Sequence, residues 1–180
     1  MSSLRASPNR AAPREPVTHL VDVDSCASLD IMGVEIRYLT EPSAEANLPC
    51  IMRGVIPPGV VVPLHKHDDP ETFFQLSGEM EGLSMSDEGF EWICIRPGDI
   101  FHIPGGARHA LRNLSRVPSI AFLTTTSRMG RFFREIGAPA GTGRSGPPTE
   151  ETIRRFLETA ARYGYWNATP DENARIGISL

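Results

Sequence analysis

From Val17 to about Thr126 the chain is a succession of short segments, each closed by Gly, Pro, Asp or Asn. "VEIRYLT" (34–40) alternates apolar and polar residues. "CIMRGVI" (50–56) runs into Pro57-Pro58-Gly59, and "VVVPLHKH", "ETFFQLSG", "EMEGLSMS", "FEWICI", "DIFHIP", "HALRNLS" and "SIAFLTTT" follow. Breakers at this frequency leave no room for long helices, and no βαβ alternation occurs. Short strands at near-regular spacing indicate an all-β sandwich or barrel. The load of 16 Gly and 16 Pro, with no internal repeat, fits many turns.

The last third reads differently. "SRMGRFFREIG" (127–137) carries Phe132, Phe133 and Ile136 at helical spacing and stops at Gly137. A Gly/Pro loop follows. Thr149 then stands as an N-cap, with Glu150 and Glu151 in the first turn. Ile153, Phe156, Leu157, Ala160 and Ala161 recur at i, i+3, i+4, i+7 and i+8, an amphipathic helix closing near Gly164. The expected organisation is a tail over 1–16, a β unit over 17–126 and a helical extension over 127–180. The extension packs on the barrel either as cover or as lid.

Charge and cysteine content narrow the function. A net charge of −4 argues against a broad nucleic-acid surface. No apolar run reaches the 18 residues of a membrane-spanning helix. The first 16 residues have Arg, Ser and Pro but no apolar stretch of a secretory signal. Cys26, Cys50 and Cys94 are odd in number and form no CxxC. They are expected as free thiols in a reducing cytoplasm.

Residues 59–78, GVVVPLHKHDDPETFFQLSG, hold two of the five histidines. On a strand His65 and His67 project to one face, with Val61 and Pro63 behind them. Glu71, Phe73 and Gln75 share a face of the next strand. His109 comes later, with Leu111 and Asn113 on its side. A lone His-x-His pair often lies on a surface. Three imidazoles and a carboxylate converging inside a barrel instead make a four-ligand set for a first-row transition metal. Phe73, Phe101 and Ile103 are expected to line an apolar pocket or to fill the core. Gln75 either orients substrate or bonds to the barrel backbone. His102 alternates with the inward residues and should face out, Asp68 and Asp69 should face solvent, and Trp92 and Cys94 share one face.

These residues resemble the cupin family. Its first motif, G-x5-H-x-H-x3,4-E-x6-G, is matched by Gly59, His65, His67, Glu71 and Gly78. Its second, G-x5-P-x-G-x2-H-x3-N, is matched by Gly98, Pro104, Gly106, His109 and Asn113. One copy of each is present, 19 residues (79–97) apart. The resemblance implies a single double-stranded β-helix, or jelly-roll barrel. It implies His65, His67, Glu71 and His109 as ligands of one divalent metal among Fe, Mn, Ni, Co, Cu and Zn. It is loosely closest to quercetinase-type enzymes, which implies a dioxygenase acting on a small phenolic, enolic or polyketide-like molecule, with Glu71 also serving as catalytic base. A non-redox isomerase, cyclase or lyase, or a non-catalytic binding cupin, uses the same ligands. Small cupins commonly pair, so a homodimer is expected, with residues 17–40 contributing.

Overall fold

The computed structural model describes residues 17–141 and 148–179. The expected tail over 1–16 and part of the Gly/Pro loop lie outside them. Ten strands come first: β1 (Ser28–Ile31), β2 (Val34–Tyr38), β3 (Pro49–Ile56), β4 (Val61–Lys66), β5 (Glu71–Ser77), β6 (Met80–Ser86), β7 (Gly89–Ile95), β8 (Ile100–Ile103), β9 (His109–Arg112) and β10 (Ser119–Thr126). Then come α1 (Ser127–Ile136), β11 (Ala138–Pro139), α2 (Glu150–Arg162), β12 (Trp166–Asn167) and α3 (Pro170–Arg175). Two antiparallel sheets result, ordered β11-β1-β2-β3-β10-β5-β8 and β12-β4-β9-β6-β7. The all-β architecture with a helical C-terminal extension is as the sequence pattern requires. No helix among the described residues is long and apolar enough to cross a membrane.

β10 shows why the sheets face each other. Ser119, Ala121, Leu123 and Thr125 alternate inward and are buried, while Ile120, Phe122, Thr124 and Thr126 are half-buried on the other face. The inward residues join Ile36, Met52, Ile56, Phe73, Ile95 and Leu111 in the core between the sheets. Gly78 ends β5 at φ +64°, and a Cβ there would stand 2.2 Å from the carbonyl oxygen of Pro118. Only glycine lets the chain turn this close to β10.

Simple alternation fails at one place that matters. β4 and β9 slip in register between Val62 and His65. Val62 packs into the core between the sheets, while Val61 packs with the cluster on the other face. Val61 nevertheless borders the same cavity as Pro63, His65 and His67, as parity expects. The slip restores His65 to the inner side, opposite His109. Pro63, which has no N–H to give a ladder, sits at this irregularity.

α2 starts at the expected cap, Thr149, and α1 at a cap the sequence reading did not name, Thr126. The Thr126 hydroxyl accepts from Met129 N–H, and Thr149 accepts from Thr152 N–H. The expected apolar face of α2 is only partly used. Ala160 is buried and Phe156 leans on Phe132 at 6.1 Å, but Ile153 and Leu157 are 42% and 48% exposed, and Ala161 is exposed. α2 rests mainly on α1, and one narrow helix cannot cover a stripe that wide.

The sequence reading did not anticipate β12 and α3. β12 joins the edge of the five-stranded sheet beside β4, and the segment from α3 onward covers its outer face, where Ile176 and Ile178 meet Leu64, Leu83 and Ala110. A capping box made by Thr169 and Glu172, with Pro170 at the first helical turn, starts α3. Asn173 is fully buried; its amide donates to the carbonyls of Ala168 and Thr169, and its carbonyl accepts Leu64 N–H at 2.9 Å. Asn173→Ala orphans the Leu64 N–H. It should lower stability by about 2 kcal/mol, read as a shift of the urea midpoint at unchanged slope.

Candidate metal centre

His65, at the end of β4, lies directly across the ladder from His109, the first residue of β9. On its other side it pairs with Asn167 of β12. His67 stands one residue past β4, and Glu71 opens β5 opposite Ile103. The loop between them is held from below. Gly106 N–H donates to the His67 carbonyl at 2.7 Å, and a Cβ on Gly105 would come within 2.2 Å of the Asp68 carbonyl oxygen. Only a glycine at 105 lets the second turn press this closely on the first.

One potential ligand atom from each of His65, His67, Glu71 and His109 falls in a group spanning at most 4.8 Å. Each imidazole is anchored by its Nδ1. His65 bonds the Pro63 carbonyl at 2.7 Å, His67 the Asp69 carbonyl at 2.8 Å and His109 the Ala107 carbonyl at 3.0 Å. A carbonyl only accepts, so each Nδ1 carries the proton and each Nε2 keeps its lone pair. The Nε2 atoms of His67 and His109 are buried and have no hydrogen-bond partner. Glu71 Oε2 stands 3.7 Å from the first and 3.3 Å from the second. Donors bound to one ion at ~2.1 Å stand roughly 3–4 Å apart. Buried lone pairs with no proton to meet are what a cation would satisfy, so the residues present fit a metal.

The electrostatics agree. Burial pushes the His65 pKa down from 6.5 to about 3, assisted by His109 and His67. Burial also lowers that of His67, against the opposing pull of Glu71. For Glu71 burial favours the neutral acid, but the neighbouring His109, His67 and His65 outweigh it and hold the pKa below its ordinary value. Near neutral pH the set is two neutral imidazoles, His65 and His67, beside a carboxylate.

The cluster borders a cavity of about 150 Å³ between the sheets. Ile36, Ile56, Val62, Phe73 and Leu123 supply apolar wall, and Met129, Phe132, Phe133 and Tyr165 add to it from the C-terminal extension. No Arg or Lys borders it among the described residues. Of the four expected pocket residues, Phe73 lines this space and Gln75, Phe101 and Ile103 do not. The Gln75 amide donates to the carbonyls of Ser77 and Gly78 and to the Ser119 hydroxyl, the backbone-bonding alternative. Phe101 covers Gly82, where a Cβ would meet its ring at 2.6 Å. Ile103 is core. Strand parity identifies the inward face but not the depth along it.

Asp69 corrects the expectation that it faces solvent. It is 4% exposed and accepts from Thr126, Arg128 and Tyr165. Asp68 is exposed, as expected, and so is His102, which bonds Thr72 at 2.9 Å. Trp92 donates to the Ile176 carbonyl at 3.0 Å and is half-buried with Cys94. Sequence reasoning missed Tyr165, and no local signal marks it.

Residues 52–125 match the family model for the cupin domain. This chain carries a cupin domain. No curated protein matches it. Among solved structures, the oxalate decarboxylase of Lactobacillus farciminis in its formate complex is similar at 20% identity and a TM-score of 0.51, over 63% of this chain and 34% of that one. A predicted oxalate decarboxylase from Thermotoga maritima has 24% identity and a TM-score of 0.49, over 60% and 98%. KdgF from Halomonas has 18% and 0.48, over 58% and 91%. At these identities the likeness concerns the fold alone.

The depressed histidines give a signed pH dependence. Below 6.5 the unfolded chain protonates His65 while the folded chain does not, until about pH 3. Folding stability of the metal-free cupin domain therefore falls as pH drops through that window. Glu71 adds loss in the same direction at the acid end, as pH falls through its lowered folded pKa. The melting temperature of metal-free protein should decline from pH 7 to pH 4, and His65→Gln should flatten that decline.

Proposed function

We propose that the chain is a metal-dependent enzyme of dioxygenase type, acting on a small and largely apolar phenolic or enolic molecule. The observation that carries this is that the cluster of three imidazoles and Glu71 opens through His65, His67 and Glu71 onto an apolar cavity bordered, among the described residues, by no Arg or Lys. His65, His67, Glu71 and His109 would hold one divalent first-row transition ion. Such an ion supplies a Lewis-acidic centre and, if redox-active, a route for dioxygen chemistry. Glu71 Oε2, kept ionised at neutral pH, is placed to take the proton of a substrate hydroxyl. The apolar walls exclude water around that transfer and select a ligand with few polar atoms.

Charge and size sharpen the class. Oxalate, for which one of the similar structures is named, is a dianion and would find, among the described residues, no Arg or Lys beside the metal to balance it. A cavity of about 150 Å³ suits a single ring, since apolar cavities of roughly this size accept benzene. A catechol-sized substrate is therefore favoured over a tricyclic flavonol. The free thiols of Cys26, Cys50 and Cys94 support a cytoplasmic setting. A second copy of the chain is the proposed partner, supported by the exposed Phe74, Leu76 and Ile100 on β5 and β8; a sedimentation mass of one chain would refute it.

Elemental analysis of untagged protein should find about one first-row ion per chain, lost in His67→Ala. Oxygen uptake should then follow addition of a catechol. Turnover of the substrate without oxygen would move the chemistry to a Lewis-acid isomerase, cyclase or lyase. Absence of metal after reconstitution would overturn the enzyme reading.

A further inference from the structure

We propose that Asp69 is a positioning residue that fixes the angle of the His67 imidazole and the Tyr165 wall of the cavity together, so that the C-terminal extension is part of the metal site. The proposal rests on the metal reading above and concerns how the site is held.

Asp69 works with both its backbone and its side chain. Its carbonyl accepts the His67 Nδ1 proton at 2.8 Å and so sets the direction of Nε2. Its carboxylate gathers three donors from distant parts of the chain. Oδ1 accepts from the Thr126 hydroxyl at the end of β10. Oδ2 accepts from Arg128 Nη1 at 2.7 Å and from the Tyr165 hydroxyl at 2.6 Å. The same Thr126 hydroxyl caps α1 through Met129 N–H. Arg128 also donates to the Tyr163 carbonyl, and its guanidinium lies 5.1 Å from the Tyr165 ring. The Tyr165 ring in turn stands 5.2 Å from the His67 ring. One buried carboxylate thus joins a metal-ligand candidate, the start of α1 and a cavity residue 96 positions along the chain.

The arrangement leaves little freedom. On the other side the loop is pinned by Gly106 N–H on the His67 carbonyl and by the close approach of Gly105 to Asp68. A shift of Asp69 toward solvent would swing its carbonyl and turn His67 away from Glu71 and His109. It would also release Tyr165. With its hydroxyl donated to Asp69, Tyr165 offers its ring rather than a proton to the cavity.

The test uses Co(II) as probe, with full-length protein and two readouts: the dissociation constant, and the visible absorption of bound Co(II), which reports ligand geometry. Asp69→Asn keeps the backbone carbonyl and side-chain size, but an amide cannot accept donors on both of its ends. It should weaken Co(II) binding by about 10–100-fold and change the spectrum. Tyr165→Phe removes one donor and should shift both readouts in the same direction by less. Thr149→Ala loosens α2 at its cap but touches none of these groups, and should leave both unchanged. Wild-type affinity and spectrum in a folded Asp69→Asn protein would overturn the proposal. So would an equal loss in Thr149→Ala, which would make the effect one of general loosening. If wild-type protein binds no Co(II), the metal reading itself fails, an outcome separate from the other two.

Discussion

Three hydrogen bonds from imidazole to backbone hold the site together. Each Nδ1 proton is committed to a carbonyl, of Pro63, Asp69 or Ala107, in the chain segment adjoining its own histidine. That commitment fixes the tautomer and the ring plane at once and turns three Nε2 lone pairs toward one region. The carbonyls are in turn fixed by the fold. Pro63 sits at the β4 irregularity, Asp69 is locked by α1 and Tyr165, and Ala107 belongs to the Pro104–Gly106 turn, where Ala107 N–H bonds the Pro104 carbonyl.

Such a cluster is costly for a protein to keep. Buried polar atoms without partners lose their hydration and gain nothing for it. His67 Nε2 and His109 Nε2 are in that position, beside an ionised carboxylate with no Arg or Lys at the cavity among the described residues. A buried negative charge among neutral lone pairs is a place of negative potential, and a divalent cation removes the cost. The surrounding apolar cavity raises the strength of every interaction within it, because little water remains to screen them. The same feature restricts what else can enter to molecules with few charges of their own.

The C-terminal third contributes more than cover. Met129, Phe132 and Phe133 from α1, with Tyr165 beyond α2, complete the cavity wall, while β12 extends the sheet at the edge of β4 and the segment from α3 onward packs on its outer face. Meanwhile Ile153 and Leu157 remain exposed on α2. Apolar periodicity predicts that a helix has a preferred face. It does not say how much of that face a neighbour is wide enough to bury.

Much of the fold and all four ligand candidates were legible in the chain. Breaker spacing determined a two-sheet β architecture. Motif spacing marked His65, His67, Glu71 and His109, because strand parity and tight turns are local properties written in adjacent residues. Gly137 and Thr149 bounded the helices for the same reason. Local sequence could also have revealed α3, through the Thr169–Glu172 capping box. Only the tertiary structure decided that Asp69 is buried, that Tyr165 reaches it from 96 residues away, and that Phe73 lines the cavity while Gln75, Phe101 and Ile103 do not. These outcomes depend on which distant segments meet and at what depth. Periodicity along a chain carries no record of either.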